Sequence, residues 1–206
     1  MHVLEYLLQL ERLQKKHPLL EEMEEVASRL GFPILNPLSA RFLALLSASS
    51  KSRTVLEVGS GFGYSALWIA LYNPFLREII LTDTDEENIS LARDFFARAG
   101  LLDKAKFMVE DGVKVLESLE EVDFIFNDAR KVQYPVIFKL ARERLPLGGT
   151  LVSDNALWHG RVLDNRFSDD NTESIREFNI LSYADDDFIT SLIPLGDGLM
   201  VSVRIR

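Results

Sequence analysis

Three closely spaced glycines after a short apolar run constrain the fold of this chain more than any other feature. Residues 54–58 read Thr-Val-Leu-Glu-Val, then Gly59-Ser60-Gly61-Phe62-Gly63 follows, and an apolar helical pattern begins at Tyr64. Glycine permits positive φ and leaves no Cβ in the way of a ligand. The first N–H groups of a helix attract an anionic or electron-rich group. The segment therefore predicts a buried strand, a tight turn and a helix N-terminus that together bind a nucleotide-like cofactor.

Two cofactor classes fit this turn. Gly61 and Gly63 match the start of the G-x-G-x-x-G/A dinucleotide fingerprint, with Asp83 at about the distance expected of an acid that binds a ribose. When Glu57 is included, the turn resembles motif I of the class I S-adenosylmethionine (SAM) methyltransferases, an acidic strand residue followed by alternating glycines. The turn alone leaves NAD and SAM open, and Asp83 could instead flank the following helix.

Apolar runs of strand length alternate with helical patterns over residues 54–153. The predicted strands cover 54–58, 78–83, 105–109, 122–127 and 150–153. Helices are expected at 64–72, at 84–100 behind a capping box at Thr84-Asp85-Glu86-Glu87, after Asp111-Gly112, and at 135–144. Runs at 188–195 and 199–205 flank Gly196-Asp197-Gly198 and predict an antiparallel hairpin. We expect an α/β fold with a mostly parallel seven-stranded sheet, a C-terminal antiparallel hairpin and helices on both faces.

The N-terminal quarter of the chain has a different pattern. Apolar spacing predicts helices at 2–16, 18–30 and 38–49. With no repeats, low-complexity tracts or linkers, residues 1–206 are predicted to form one domain, in which 1–50 is a helical cap and 51–206 the α/β core.

Composition excludes several classes of protein. The 206 residues contain no cysteine, which rules out disulfides, thiolate metal ligands and cysteine nucleophiles. The formal net charge of −9 argues against non-specific nucleic-acid binding. No run has the length of a membrane-spanning helix, and Met1-His2-Val3-Leu4-Glu5 lacks the basic start of a signal peptide. We therefore expect a cytoplasmic protein with no membrane partner.

Acidic residues lie at or just after the carboxyl end of every parallel strand of the predicted sheet. They are Glu57, Asp83, Asp111, Asp128 and Asp154-Asn155. Ligands of open parallel sheets bind beyond these carboxyl ends. Asp128, Asp154 and Asn155 supply only oxygen ligands, which suit a hard cation such as Mg²⁺ or Ca²⁺ and not zinc. Asp and Asn also cap turns frequently, so the spacing alone leaves a metal site and a turn-capping role open.

Longer motifs carry a more specific resemblance. Residues 126–131, Phe-Asn-Asp-Ala-Arg-Lys, resemble the F-I-D-A-x-K motif of the cation-dependent O-methyltransferases of the catechol and caffeoyl-CoA type. Residues 154–162 are similar to their D-N-x-L-W-x-G-x-V motif, and residues 57–65 to their E-I-G-x-x-x-G-Y-S. Residues 176–179 and 194–199 resemble their R-x-F-N and P-x-G-D-G-L stretches. The similarity extends in order from Phe32 to the C-terminal hairpin.

This resemblance implies a Rossmann-like SAM methyltransferase fold and a role for each matching position. Asp128, Asp154 and Asn155 would bind a divalent cation, Mg²⁺ with Ca²⁺ or Mn²⁺ as alternatives, and Lys131 would be the general base. Trp158 and His159 would form part of the substrate wall. The residues implied in SAM binding are Glu57, Gly59, Ser60, Gly61, Gly63, Tyr64, Ser65, Asp83, Asp111, Gly112 and Asp128.

The resemblance also implies an activity, a metal-dependent transfer of the SAM methyl group to a hydroxyl of a small vicinal diphenol, by an enzyme expected to be a homodimer. Alternatives are methylation of a hydroxylated uridine in tRNA, within the same family, and an NAD-binding oxidoreductase. Acids expected to rim the pocket disfavour RNA; they are Asp164, Asp169, Asp170 and Asp185 to Asp187. Asn127, Arg130 and the acids at 185–187 depart from the family pattern and leave the substrate open.

Overall fold

A computed structural model describes residues 6, 9, 10, 13 and 15–206 of the chain. The helix predicted over 2–16 falls largely outside these residues. The chain divides into two compact units, one ending at Ile34 and the other spanning Leu35–Arg206. The helix at 37–49 is thus part of the larger unit, and the cap formed by residues 1–50 stays a prediction. No helix in the described part of the chain is long and apolar enough to cross a membrane.

The first unit contains helix α1, Pro18–Leu30. The ring Nδ1 of His17 accepts a hydrogen bond from the Leu19 N–H at 3.3 Å and so caps the first turn. Proline at the first helical position suits the helix because its missing N–H would be unpaired there. The helix ends at Gly31, whose φ of 64° permits the left-handed C-cap. Both ends agree with the sequence prediction.

The second unit is built on one seven-stranded sheet, with strand order β3-β2-β1-β4-β5-β7-β6. The strands are β1 Thr54–Val58, β2 Glu78–Asp83, β3 Ala105–Val109, β4 Phe124–Asn127, β5 Thr150–Ser153, β6 Phe188–Ile193 and β7 Leu199–Arg204. Strands β1 to β5 pair in parallel, and β7 is antiparallel to both β5 and β6. The predicted mostly parallel sheet with a C-terminal antiparallel hairpin is confirmed.

Helices pack around this sheet. They are α2 Pro37–Ser49, α3 Tyr64–Tyr72, α4 Glu86–Arg98, α5 Gly112–Ser118, α6 Tyr134–Arg144 and α7 Asp170–Ala184. The capping box predicted at Thr84 is wrong in detail. Asp85 has extended backbone angles and accepts a hydrogen bond from the Glu87 N–H at 2.8 Å, so Asp85 is the N-cap. Strand β4 begins two residues later than predicted, because the Val122 N–H donates to the carbonyl of Arg144.

Helix α7 was missed by the sequence interpretation. The carboxylate of Asp169 caps it by accepting from the N–H of Thr172 at 3.2 Å and from its hydroxyl at 2.8 Å. Ile175 and Phe178 form its buried face. Exposed apolar residues such as Ile180 interrupt the amphipathic pattern, which is why periodicity did not reveal the helix. The cap followed by apolar residues three positions apart was the available signal.

Aromatic packing anchors α7 to α6. The Phe178 ring meets Tyr134 edge-on with 5.3 Å between ring centroids, and Phe138 edge-on at 6.2 Å. These rings belong to the same buried cluster as Leu56 and Ile125 of the central strands. The packing fixes α7 against the sheet and determines where the remaining side chains of that helix reach.

Replacement of Phe178 by Ala should therefore destabilise the protein by about 3–5 kcal/mol, because it leaves a cavity between α6 and α7. Ile180→Ala on the same helix is the matched control; Ile180 is 68% exposed, so its loss should cost less than about 0.5 kcal/mol. Urea unfolding of both variants measures the difference. Equal losses would contradict the packing described for this helix.

Candidate active site

The carboxyl ends of three central strands bring the predicted acidic residues together. β4 lies between β1 and β5, with Asn127 in register with both Val58 and Ser153. Asp128 and Asp154 are the next residues after β4 and β5, so they lie at one edge of the sheet. Burial, together with the charge of Asp128, raises the pKa of Asp154 to about 7. The two carboxylates therefore repel each other in a partly buried site.

The glycine turn lies directly against this edge. The N–H groups of Gly59 and Ser60 donate to the carbonyl of Thr82, at 3.1 and 2.8 Å. Gly59 has a φ of 85°, and a Cβ there would lie 2.6 Å from the carbonyl oxygen of Asp128. A residue with a side chain is thus excluded at this position. Beyond the turn, Gly63 precedes α3, and Tyr64 is the buried first residue of that helix.

Asp83 orders the turn through backbone hydrogen bonds. One carboxylate oxygen accepts from the Gly61 N–H at 2.9 Å and the other from the Asp85 N–H at 2.8 Å. Asp83 therefore has the helix-flanking contact that the sequence left open, and it also contacts the glycine turn. Binding of a ribose by Asp83 stays a prediction.

Glu57 is an almost fully buried carboxyl group at the end of β1. One oxygen accepts a hydrogen bond from the Ser65 hydroxyl, and the other has no hydrogen-bond partner in the structure. Burial raises the pKa of Glu57 to about 8, an effect that the Ser65 hydrogen bond opposes. A buried oxygen without a donor fits a ligand that brings one, such as an ammonium group.

Asp111 and Gly112 occupy the start of α5. The Asp111 carboxylate caps the helix through the Val113 N–H at 2.9 Å, and the Gln133 amide donates to both of its oxygens at 3.2 and 3.0 Å. A Cβ on Gly112 would lie 2.4 Å from the Thr82 hydroxyl oxygen. Both residues thus have structural roles in this turn, and their contact with SAM stays a prediction.

Lys131 lies within the acidic cluster. Its Nζ donates to an Asp128 oxygen at 3.1 Å, to the carbonyl of Ala129 at 3.3 Å and to the Tyr134 hydroxyl at 2.8 Å. The nitrogen also lies 5.7 Å from the centroid of the Trp158 ring, and the side chain is only 11% exposed. The predicted base, one predicted metal ligand and part of the predicted substrate wall therefore meet at one place.

Tyr134 completes this cluster and was missed by sequence reasoning. Its hydroxyl accepts from Lys131 and donates to the main-chain carbonyl of Asp154 at 3.1 Å. Burial raises the pKa of Tyr134 well above its usual range, and the charges of Asp128 and Asp154 add to this effect. The hydroxyl thus stays protonated and links Lys131 to the end of β5. The three-residue spacing of Lys131 and Tyr134 was the only signal in the sequence.

The predicted cation ligands fit a hard divalent ion. Asp154 Oδ1 is buried and has no hydrogen-bond partner among the described residues, and the Asp128 carboxylate is near enough to raise the pKa of Asp154. Asn155 adds an amide whose Nδ2 donates to Asp197 at 3.2 Å. Within the described residues no three His, Cys, Asp or Glu side chains converge on a metal position. The candidate set is therefore two carboxylates and one amide, all oxygen ligands of the kind that Mg²⁺ prefers.

The predicted substrate wall is a tight turn after β5. Trp158 and His159 stack with 5.5 Å between ring centroids, and their φ values are 48° and 54°. Arg176 of α7 holds the segment that follows. Its guanidinium donates to the carbonyl oxygens of Arg161, Val162, Asp164 and Phe167 at 2.8–3.2 Å. The R-x-F-N stretch thus contributes to the site by fixing the path of this segment.

One expectation about the rim is wrong. Asp185 to Asp187 precede β6, at the edge of the sheet opposite the site. Arg142, in the last turn of α6, forms ion pairs with two of them. Its Nε lies 3.4 Å from Asp185 Oδ2, and its Nη2 lies 2.6 Å from Asp187 Oδ2. β6 runs parallel to β5 because β7 is antiparallel to both, and this places its start away from the carboxyl ends.

Asn127, the polar residue where the family pattern has an apolar one, is accommodated within the sheet. It is fully buried, its amide nitrogen donates to the Ser153 hydroxyl at 3.1 Å, and its oxygen accepts from the Ala129 N–H at 3.2 Å. The amide therefore satisfies its polar atoms and links the ends of β4 and β5.

Comparison with known proteins shows which proteins this chain is similar to. Residues 10–205 match the family model described as O-methyltransferase. The chain is 27% identical to the caffeoyl-CoA O-methyltransferase of Eucalyptus gunnii, over 98% of this chain and 87% of that protein. It is 29% identical to the catechol O-methyltransferase of Niastella koreensis, over 73% and 72%. The solved O-methyltransferase of Bacillus cereus in complex with S-adenosylhomocysteine (SAH) has a TM-score of 0.81 and 28% identity over 93% of each chain.

The buried Glu57 carboxyl predicts a pH dependence of stability. The pKa of Glu57 is raised from 4.5 in the unfolded chain to about 8 in the folded state. The contribution of this group to the free energy of unfolding is therefore lost as the pH rises through this range. Between pH 5.5 and pH 8 the loss should be about 3 kcal/mol, and Glu57→Gln should remove most of it.

Urea unfolding without cofactor at pH 5.5 and pH 8 measures this effect. Glu117→Gln makes the same chemical change at an exposed position and should leave the pH dependence intact. An equally steep decline in Glu57→Gln and wild type would show that Glu57 is not the responsible group.

Proposed function

The chain belongs to the O-methyltransferase family, and from this premise we propose that it methylates one hydroxyl of a small vicinal diphenol at a divalent-cation site. The glycine turn left both NAD and SAM open as cofactors, and membership of this family identifies SAM. SAM-dependent O-methyl transfer is therefore the activity of the chain. The acceptor, the cation and the roles of individual residues are our proposal, as are a homodimeric state and a cytoplasmic location.

The observation that carries the proposal is the juxtaposition of Lys131 with the paired carboxylates. Asp154 has an oxygen without a partner, Asp128 lies beside it, and Lys131 Nζ is 3.1 Å from an Asp128 oxygen. A bound divalent cation would hold two adjacent hydroxyls and make one of them easier to ionise. Asp128, Asp154 and Asn155 are the residues that would hold it.

The position of Lys131 supports our proposal that it is the general base. As a free amine, its Nζ would take the proton from the acceptor hydroxyl. The phenolate oxygen would then form a bond to the SAM methyl carbon as the carbon–sulfur bond breaks, which leaves SAH. Tyr134 holds the nitrogen at 2.8 Å, which restricts the lysine to one geometry. Much of the acceleration would come from this positioning.

The charges near the site favour a small phenol over a phosphate-bearing acceptor. Arg161 pairs with Asp169 at 2.9 Å, and Arg166 pairs with Asp164. Phosphate groups of CoA or RNA would have to compete with these carboxylates for the arginines. This pairing supports the proposal even though Asp185 to Asp187 lie elsewhere.

Activity should require a divalent cation and two adjacent hydroxyls. Protein freed of metal with EDTA is mixed with labelled SAM and with catechol, with phenol as the matched one-hydroxyl control, or with undermethylated tRNA. Catechol should take up label only after Mg²⁺ is restored, and Asp154→Ala should abolish the uptake. Full turnover in excess EDTA would refute the cation site. Label entering only the RNA, less at higher salt, would refute the phenolic acceptor.

Lys131→Ala should lower turnover by roughly 10²–10⁴-fold, the usual contribution of a positioned acid–base group. Lys131→Arg should not restore it, because a guanidinium keeps its proton at any working pH. Lys139→Ala on α6 removes a lysine remote from the cluster and is the control. Wild-type turnover in Lys131→Arg would assign proton removal to another group.

A further inference from the structure

The hairpin turn between β6 and β7 places Asp197 beside the predicted cation ligands. β7 is antiparallel to β5, with Met200 opposite Ser153, so this turn lies at the carboxyl end of β5. Two backbone hydrogen bonds attach it there. The Ala156 N–H donates to the carbonyl of Gly198, and the Leu157 N–H donates to that of Asp197, both at 2.9 Å.

The flanking glycine Gly198 allows this close approach. Its φ is 86°, and a Cβ on it would lie 2.7 Å from Cγ of Leu157 and 3.0 Å from the Leu157 nitrogen. Any side chain at 198 would push the turn away from residues 156–157. The hairpin is thus shaped to hold Asp197 at a fixed distance from the end of β5.

The carboxylate of Asp197 binds two parts of the segment after β5. One oxygen accepts from the His159 N–H at 2.6 Å, and the other accepts from Asn155 Nδ2 at 3.2 Å. Asn155 and His159 have φ values of 56° and 54°, in the left-handed region that costs energy for residues other than glycine. Asp197 is only 17% exposed and stabilises both of these positions.

We propose that Asp197 is a positioning residue that orients the Asn155 amide towards the cation site and holds the turn carrying Trp158 and His159. A carboxylate only accepts hydrogen bonds, so the Asn155 amide must turn its nitrogen towards Asp197, and Oδ1 is then left for the cation. Partners that orient metal ligands in this way typically change affinity 10–100-fold when they are removed. The inference rests on the cation site of the proposed function.

Asp197→Asn tests this role, because it keeps the side-chain shape but replaces one acceptor oxygen with a donor. With Mn²⁺ alone as the probe, electron paramagnetic resonance should show an affinity about 10–100-fold lower than in the wild type. SAM affinity without metal should stay within about twofold, since the hydrogen bonds of the Asp197 carboxylate go to Asn155 and His159 and not to the glycine turn. Asp186→Asn makes the same change at an exposed acid and is the control. Asp197→Ser, which keeps one acceptor, is the second variant if the first does not fold.

A coupling measurement separates positioning from general stabilisation. In an Asn155→Ala background the amide is absent, so adding Asp197→Asn should cause no further loss of Mn²⁺ affinity. The same fold loss in both backgrounds, or no loss in the wild-type background, would overturn the proposal.

A wild-type protein that binds no Mn²⁺ would refute the cation site of the proposed function. Hydrogen–deuterium exchange of residues 155–160 without metal then decides the positioning role on its own. Faster exchange in Asp197→Asn than in wild type and Asp186→Asn would support it, and unchanged exchange would overturn it.

Discussion

The rest of the site depends on the repulsion between two carboxylates at the ends of neighbouring parallel strands. Asp128 and Asp154 follow β4 and β5, and burial together with the charge of Asp128 raises the pKa of Asp154 to about 7. Lys131 supplies a cation in contact with Asp128 and is held there by Tyr134. One oxygen of Asp154 remains unpartnered, so the described side chains compensate this acidic pair only in part. This incomplete compensation supports the cation site of the proposed function.

The same strand ends also hold the glycine turn in place. The Asp128 N–H donates to the carbonyl of Val58 at 2.9 Å, and the Asp154 N–H donates to that of Asn127 at 3.1 Å. Gly59 approaches the Asp128 carbonyl so closely that no side chain fits between them. The glycine turn and the two carboxylates therefore belong to one hydrogen-bonded unit. Under the proposed function, a shift of one would displace the other, so this unit would keep the methyl donor and the acceptor at a fixed separation.

Contiguous patterns in the sequence predicted most of the fold and most of the residues that the structure brings together at the carboxyl ends of the strands. β1, β2, β3 and β5 have the predicted bounds, because each is a short apolar run beside glycine or acidic residues. The contributions of Tyr134 and Asp197 depend on hydrogen bonds to residues 20 and 42 positions away, which no local pattern reveals. The acids at 185–187 were misplaced for a related reason, since their location depends on the direction of β6.

Under the proposed function, helix α7 would allow the acceptor wall to vary while the chemistry is retained. Phe178 packs into the core, Asn179 donates to the carbonyl of Ala156 at 2.8 Å, and Arg176 donates to four carbonyls of the segment after β5. All these bonds to the segment end on backbone oxygens, so these bonds themselves do not depend on the identity of its side chains. Leu163 within it is 81% exposed. Replacing such residues would change what the acceptor meets without moving the carboxylates, Lys131 or the glycine turn.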